Sequence, residues 1–347
     1  MKRIVVKIGS SIIAPRGKLD VNLVRAIVKD ILAVEAKGAQ VVVVSSGAIA
    51  CGLDKLGYRR RPPDIHSLMA ISSVGQIILM DVFGAKFKKY QRTCAQVLLT
   101  DEDFDVRQRF MNIRKTIDRL LAMKIIPIIN ENDVISYDEI RVGDNDRISA
   151  RVADLIGAQL LVMLSDVKGL LKQDTVVKVV PRIDESIKAL VRKEAKTHTA
   201  GGMETKLIAA DIATSSGIKT AIVYGREKSV LARLVDQEHV GTIFLPAEKL
   251  LNARKRWIAF SKKVKGKIFI DAGAKEAILN RGKSLLGVGI IASEGLFKKG
   301  DAVHVVDQAG KLLGCGLANY DGESLKSARE KRLAKEVIHR DDFVKAP

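Results

Sequence analysis

Two lysines lie beside glycine turns at distant points of the chain. Lys7 sits in Ile4-Val5-Val6-Lys7-Ile8-Gly9-Ser10-Ser11, and Lys206 closes Ala200-Gly201-Gly202-Met203-Glu204-Thr205-Lys206. Glycine lets backbone N–H groups approach a phosphate, and a helix start offers unpaired donors to it. Two cations aimed at one anionic group suit phosphoryl transfer without a covalent enzyme intermediate, where catalysis is mostly positioning and charge neutralisation. Each lysine also has a plainer reading. Lys7 would discourage aggregation if its strand lay at a sheet edge. Gly201-Gly202 would be a flexible loop with a helix cap.

Carboxylates and amides gather in two further segments. Gly143-Asp144-Asn145-Asp146 holds two carboxylates and an amide within four residues. Asp146 would cap the helix that follows, or bridge Lys7 and Lys206 and hold both ammonium groups in place. Asn130-Glu131-Asn132-Asp133 directly follows Ile-Pro-Ile-Ile. Four polar residues at a strand end mark a ligand site, and an acidic group there would suit a substrate ammonium. Gly282-Lys283-Ser284 imitates the end of a P-loop, but Ala277 stands where that motif needs its first glycine, and Lys275–Arg281 reads as helix.

These residues must be positioned by the elements around them. Nearly continuous Val, Ile and Leu runs predict strands at Ile4–Ile8, Val41–Val44, Ala95–Leu99, Ile125–Ile129, Leu160–Leu164 and Thr220–Val223. Between them, Asp20–Ala36, Asp146–Ile156 and Thr205–Ser215 read as helices. The alternation predicts a three-layer αβα domain on a mainly parallel sheet. Its functional loops should then follow strand ends, as Gly9-Ser10-Ser11, Ser45-Ser46-Gly47 and Ser165-Asp166 all do. Beyond a Lys- and Arg-rich stretch that holds Trp257, the segments shorten between glycine turns, which predicts a small β-rich domain. The expected boundaries are 1–250, a linker at 251–265, and 266–347.

Composition bounds the remaining possibilities. The 347 residues are 47% hydrophobic and 29% charged, which is globular and not disordered. No uninterrupted apolar run approaches the roughly 18 residues of a membrane span, and no signal peptide is expected. The cytoplasm is the expected compartment. Cys51, Cys94 and Cys315 are odd in number and far apart, which argues against a disulfide framework. The five histidines lack HxxxH or HExxH spacing, so a metal held by imidazoles is not expected, and any metal should be Mg²⁺ brought in with a nucleotide. The net charge is +19, and residues 251–347 carry 20 Lys and Arg against 11 Asp and Glu. Anionic substrates account for such a surface, and RNA is the alternative partner. A base-stacking platform is poor, because residues 266–319 contain only Phe269 and Phe297 as aromatics.

Taken in order, the motifs resemble the glutamate 5-kinases of the amino acid kinase superfamily, with a C-terminal PUA domain. The likeness rests on residues 5–11, 44–50, 127–133, 142–146, 164–170 and 201–206, with Arg254-Lys255-Arg256-Trp257-Ile258 matching the interdomain stretch. It implies ATP-dependent phosphorylation of the side-chain carboxylate of L-glutamate, at the first step of proline biosynthesis, by a homo-oligomer. Lys7 and Lys206 would neutralise the transferring phosphoryl group, and Asp146 would orient them. Ser46, Asp133 and Asn145 would bind glutamate. Ser165, Asp166 and the segment Ala200, Gly201, Gly202, Met203, Glu204, Thr205 and Lys206 would line the nucleotide site with Lys7. Ala200 departs from the family's usual threonine, and Leu170–Asp174 lacks its usual tyrosine-containing pattern.

Overall fold

The computed structural model describes residues 2–135, 144–194, 201–248, 253–260, 264–325, 333 and 335–346. Met1–Leu250 and Leu251–Pro347 form two compact units. Ala253–Phe260, inside the stretch expected to be a linker, is a helix that contacts strands of the second unit.

Among its described residues the first unit has the strands β1 Arg3–Ile8, β2 Gln40–Ser45, β3 Cys94–Leu99, β4 Ile126–Glu131, β5 Leu160–Ser165, β6 Leu171–Lys172, β7 Thr175–Val176, β8 Val179–Val180, β9 Lys219–Tyr224 and β10 Thr242–Phe244. Its helices are α1 Ser10–Ile13, α2 Val21–Ala36, α3 Ala48–Lys55, α4 Ile65–Lys88, α5 Arg107–Ala122, α6 Asp144–Ile156, α7 Glu185–Glu194, α8 Gly201–Ser215 and α9 Val230–Val235. Eight strands form one sheet in the order β3-β4-β2-β1-β5-β9-β10-β8. All its pairs are parallel except β9–β10. β6 and β7 form a separate antiparallel pair.

Both faces of the sheet are covered, which explains the unbroken apolar strands. Side chains alternate along each strand. Ile4, Val6 and Ile8 share a core with Val41, Val43, Ile126 and Ile128, and with residues of α2, α4 and α9. The opposite face carries α6 and α8.

Among the described residues α4 is the longest helix of the first unit. It is long and apolar enough to cross a membrane by length and composition, although Ser72, Ser73 and Gln76 interrupt its apolar run. Here Leu79, Phe83 and Phe87 are fully buried in the core on the sheet. Against α3 it makes backbone contact: a Cβ on Gly75 would fall 1.7 Å from the Ala48 carbonyl oxygen, and one on Gly52 2.0 Å from that of Ile71. No other residue type fits either position without displacing backbone.

In the second unit the strands are β11 Val264–Ile270, β12 Ile290–Glu294, β13 Ala302–Val306, β14 Leu312–Leu317 and β15 Phe343–Lys345, in the order β12-β11-β13-β14-β15. Ile268, Ile270, Val303, Val305 and Phe297 are central to its core. The P-loop imitation, Gly282–Ser284, follows a helix at Ala272–Leu279 rather than a strand.

Candidate active site

Alternation decides where Lys7 goes. With Ile4, Val6 and Ile8 committed to one face, Lys7 takes the other, where α6 and α8 lie. β1 is flanked by β2 and β5, so Lys7 is interior to the sheet and the edge-strand reading fails. It is 4% exposed. A buried ammonium requires an anion.

Asp146, in the first turn of α6, supplies it. Its carboxylate meets Lys7 Nζ through Oδ1 at 2.5 Å and Lys206 Nζ through Oδ2 at 3.6 Å. Thr205 Oγ1 donates to the same Oδ2 at 2.8 Å. Lys206 Nζ also donates to the Gly202 carbonyl at 2.8 Å. Of the two roles open to Asp146, the bridge is the one it adopts.

The electrostatics follow from one carboxylate serving two ammonium groups. Burial would raise the Asp146 carboxyl, but Lys7 and then Lys206 outweigh it and hold it below the ordinary carboxylate range. Burial, with repulsion from Lys7, pushes Lys206 below the ordinary lysine range despite Asp146. The cluster keeps an excess positive charge in a dry setting. Each ammonium also lies against a glycine: a Cβ on Gly9 would sit 3.7 Å from Lys7 Nζ, and one on Gly202 3.7 Å from Lys206 Nζ.

The other expected nucleotide residues that the structure describes lie at the end of β5 and in the first turns of α8. Ser165 is buried at the end of β5 and donates to the Asp166 carboxylate at 3.1 Å. The Asp166 charge acts on Lys206. Gly201 opens α8, Met203 is half-buried and Glu204 is exposed. Ala200 lies outside the described residues, as do Val142 and Gly143.

A second cluster holds the expected acceptor residues. Asn145 Nδ2 donates to Ser46 Oγ at 3.1 Å and to Asn130 Oδ1 at 2.9 Å. Asn130 Nδ2 donates to Gln76 Oε1 at 2.8 Å. Ser46 follows β2, and its N–H donates to the Ile8 carbonyl at 3.1 Å. Gly47 then turns the chain into α3 with a φ of 111°. Asp133 joins through a different partner, because its carboxylate accepts a hydrogen bond from Ser72. Burial raises the Asp133 carboxyl above its ordinary range, opposed by Ser72 and by the charge of Arg61.

α6 is anchored from outside. Arg151 Nε lies 3.0 Å from Asp101 Oδ1, and Arg147 Nη2 3.2 Å from Asp101 Oδ2. The Arg151 guanidinium also stands over the Phe104 ring at 5.5 Å. This grip fixes the helix that carries both Asn145 and Asp146. Sequence reasoning missed Ser72, Gln76 and Arg151. The available signal was two polar residues at a spacing of four, inside the apolar stretch of α4.

Comparison with known proteins bears on the family and the fold. The amino acid kinase family model matches residues 2–224, and the PUA domain model matches residues 266–340. The glutamate 5-kinase of Dictyoglomus turgidum is 42% identical over 363 residues, spanning 99% of this chain and 97% of the relative. That of Thermoanaerobacter sp. is 38% identical over 361 residues with the same coverage. Carbamate kinase from Giardia lamblia bound to AMP-PNP shares the fold, with a TM-score of 0.52 at 18% identity over 71% of this chain and 99% of that one. With the family model spanning the unit that holds both clusters, and near-full-length relatives named glutamate 5-kinase, the chain belongs to the amino acid kinase family.

Proposed function

We propose that the protein transfers the γ-phosphoryl group of ATP to the side-chain carboxylate of L-glutamate, giving L-glutamyl 5-phosphate and ADP, as the first step of proline biosynthesis. The observation that carries the reading is the buried Lys7–Asp146–Lys206 cluster with its unbalanced positive charge. The near-full-length likeness to proteins named glutamate 5-kinase supports the choice of acceptor.

The chemistry needs little from a base. A carboxylate acceptor is already ionised at pH 7, with an ordinary pKa of about 4.3 for glutamate. The barrier is the approach of two anions. Lys7 and Lys206 lower it by meeting the charge that builds on the transferring group, and Asp146 keeps both ammonium groups in place before substrate arrives. Glycines at positions 9 and 202 leave room for phosphate oxygens beside those groups. Ser46 and Asn145 hold the acceptor from one side, and Asp133 receives its α-ammonium.

Mg²⁺ would accompany the nucleotide and supply further charge neutralisation. Among the described residues no group of three or more His, Cys, Asp or Glu side chains converges on a point, and Asp146 is engaged by two lysines. The family resemblance supports the cytoplasm as the protein's compartment and a homo-oligomer as its assembly.

The test is ATP turnover in the presence of hydroxylamine, which traps an acyl phosphate as a hydroxamate. Glutamate should give hydroxamate, while aspartate, N-acetylglutamate and UMP should give none. Equal or faster turnover with one of the others would reassign the acceptor.

A further inference from the structure

α4 touches both halves of the acceptor cluster, from residues one helical turn apart. Ser72 donates to the Asp133 carboxylate, and Gln76 accepts from Asn130. Both are buried, at 4% and 8% exposure. Gly75, between them, presses α4 onto α3, the helix that starts beyond Ser46 and Gly47.

The amide chain has a direction that can be traced. The Glu131 backbone N–H cannot be reversed. It donates to Asn130 Oδ1 at 2.9 Å and to Asn145 Oδ1 at 3.2 Å, which fixes the oxygen end of both amides. Asn145 Nδ2 then donates to Asn130 Oδ1 and to Ser46 Oγ. Asn130 Nδ2 is left to donate to Gln76 Oε1. A flipped Gln76 would set two N–H groups against each other. In the observed orientation Gln76 Nε2 is buried without a partner among the described residues, so the Asn130 contact outweighs an unmet donor. At the other end, the Ser46 hydroxyl has accepted from Asn145 and keeps its own proton to donate. That polarity suits an anionic group of the acceptor.

We infer that Ser72 and Gln76 are positioning residues for the acceptor amino acid. Ser72 orients the Asp133 carboxylate, and Gln76 fixes the donor direction of the amide chain that ends at Ser46. The inference rests on the acceptor reading proposed above and deepens it, because neither residue was expected from the motifs.

Ser72 has a second effect through charge. Its hydrogen bond and the field of Arg61, from the connection between α3 and α4, both favour ionised Asp133 against burial. An ionised Asp133 is the form that holds an ammonium. Among the described residues, loss of the Ser72 hydroxyl leaves the Arg61 charge to oppose burial.

The experiment is steady-state kinetics on the full chain, with glutamate and ATP varied separately, for Ser72→Ala, Ser72→Thr and Gln76→Leu. Circular dichroism and thermal unfolding check that each variant folds. Ser72→Ala and Gln76→Leu should raise the glutamate KM about tenfold, the scale of one lost buried hydrogen bond, with the ATP KM within about twofold of wild type. The acid limb of kcat/KM for glutamate should move to higher pH in Ser72→Ala and stay in place in Gln76→Leu. Ser72→Thr keeps the hydroxyl and should return both KM and acid limb to wild type. An unchanged glutamate KM and acid limb in Ser72→Ala would overturn the inference. So would equal rises in both KM values, the mark of general loosening. If the alanine variant fails to fold, Ser72→Cys, a weak donor, replaces it against Ser72→Thr, and identical acid limbs in those two would overturn the inference. Glutamate turnover with insensitive variants removes this inference alone. A wild-type enzyme that does not phosphorylate glutamate removes the acceptor reading, and this inference with it.

Discussion

Lys7 and Asp146 meet at 2.5 Å, joining the central strand β1 to the first turn of α6. Both groups are almost fully withdrawn from water, with the second oxygen of Asp146 turned to α8. Removing one member of a buried pair costs about 3–5 kcal/mol, because the other is left uncompensated. Asp146→Asn should therefore lower thermal stability and reduce kcat by about 10²–10³-fold. Differential scanning fluorimetry beside turnover measures both. Wild-type stability with normal kcat would remove Asp146 from the cluster's function.

Lys206→Ala tests the cation directly. It should reduce kcat by at least about 10²-fold, with a modest change in glutamate KM, since the lost contact is to charge in the transition state. Turnover near wild type would exclude a two-lysine mechanism.

The same lysine sets a pH dependence. Burial lowers the folded-state value of Lys206, so its charged form is lost as pH rises through that lowered value. In free enzyme, kcat/KM for ATP should fall on the alkaline side below the ordinary lysine pKa of about 10.4. Asp146→Asn removes the group that raises it and should move this limb lower still. For stability the signs differ. Asp146 contributes above its unfolded value of about 3.9, and this is lost as pH falls through the lowered folded value. Lys206 adds stability as pH rises through its lowered value toward its unfolded one.

Asp133→Asn removes the proposed partner of the acceptor's ammonium while keeping most of the volume. It should raise the glutamate KM by at least about tenfold and leave the ATP KM near wild type. Isothermal titration of each substrate separates the two effects.

Two glycines of α4 should respond in opposite directions. Gly75→Ala would force a methyl group to 1.7 Å from the Ala48 carbonyl oxygen. Overpacking of this kind costs about 1–3 kcal/mol or more, and should lower Tm by several degrees. Gly84 has open space within 4 Å of a Cβ. Gly84→Ala should stabilise the helix by about 0.5–1 kcal/mol. Thermal unfolding of the pair checks both signs.

The strands and the first cluster were legible because their signals are local. Buried parallel strands read as unbroken Val and Ile, and a lysine among them, as at position 7, has few uses. α4 was not legible for the opposite reason. Leu68, Ile71, Leu79 and Phe83 mark its buried face, but Ile77 and other apolar residues on its remaining faces erase the helical period. Ser72 and Gln76 then look like ordinary interruptions. Their partners, Asp133 and Asn130, lie on the far side of β3 and α5 in sequence, and only the folded sheet brings them together. Arg151 was hidden likewise, since its anions come from the turn after β3.

The glycine contact between α3 and α4 has a mechanical consequence. Side chains at a helix interface swap rotamers and let helices slide; two backbones in direct contact have no such slack. α3 and α4 therefore behave as one rigid lever, with Ser46 near the start of one arm and Ser72 and Gln76 along the other. Ser72 and Gln76 tie that lever to Asp133 and Asn130 of the acceptor cluster. Substitutions on the outer surface of α4, remote from any substrate atom, are thus a route to retuning acceptor affinity.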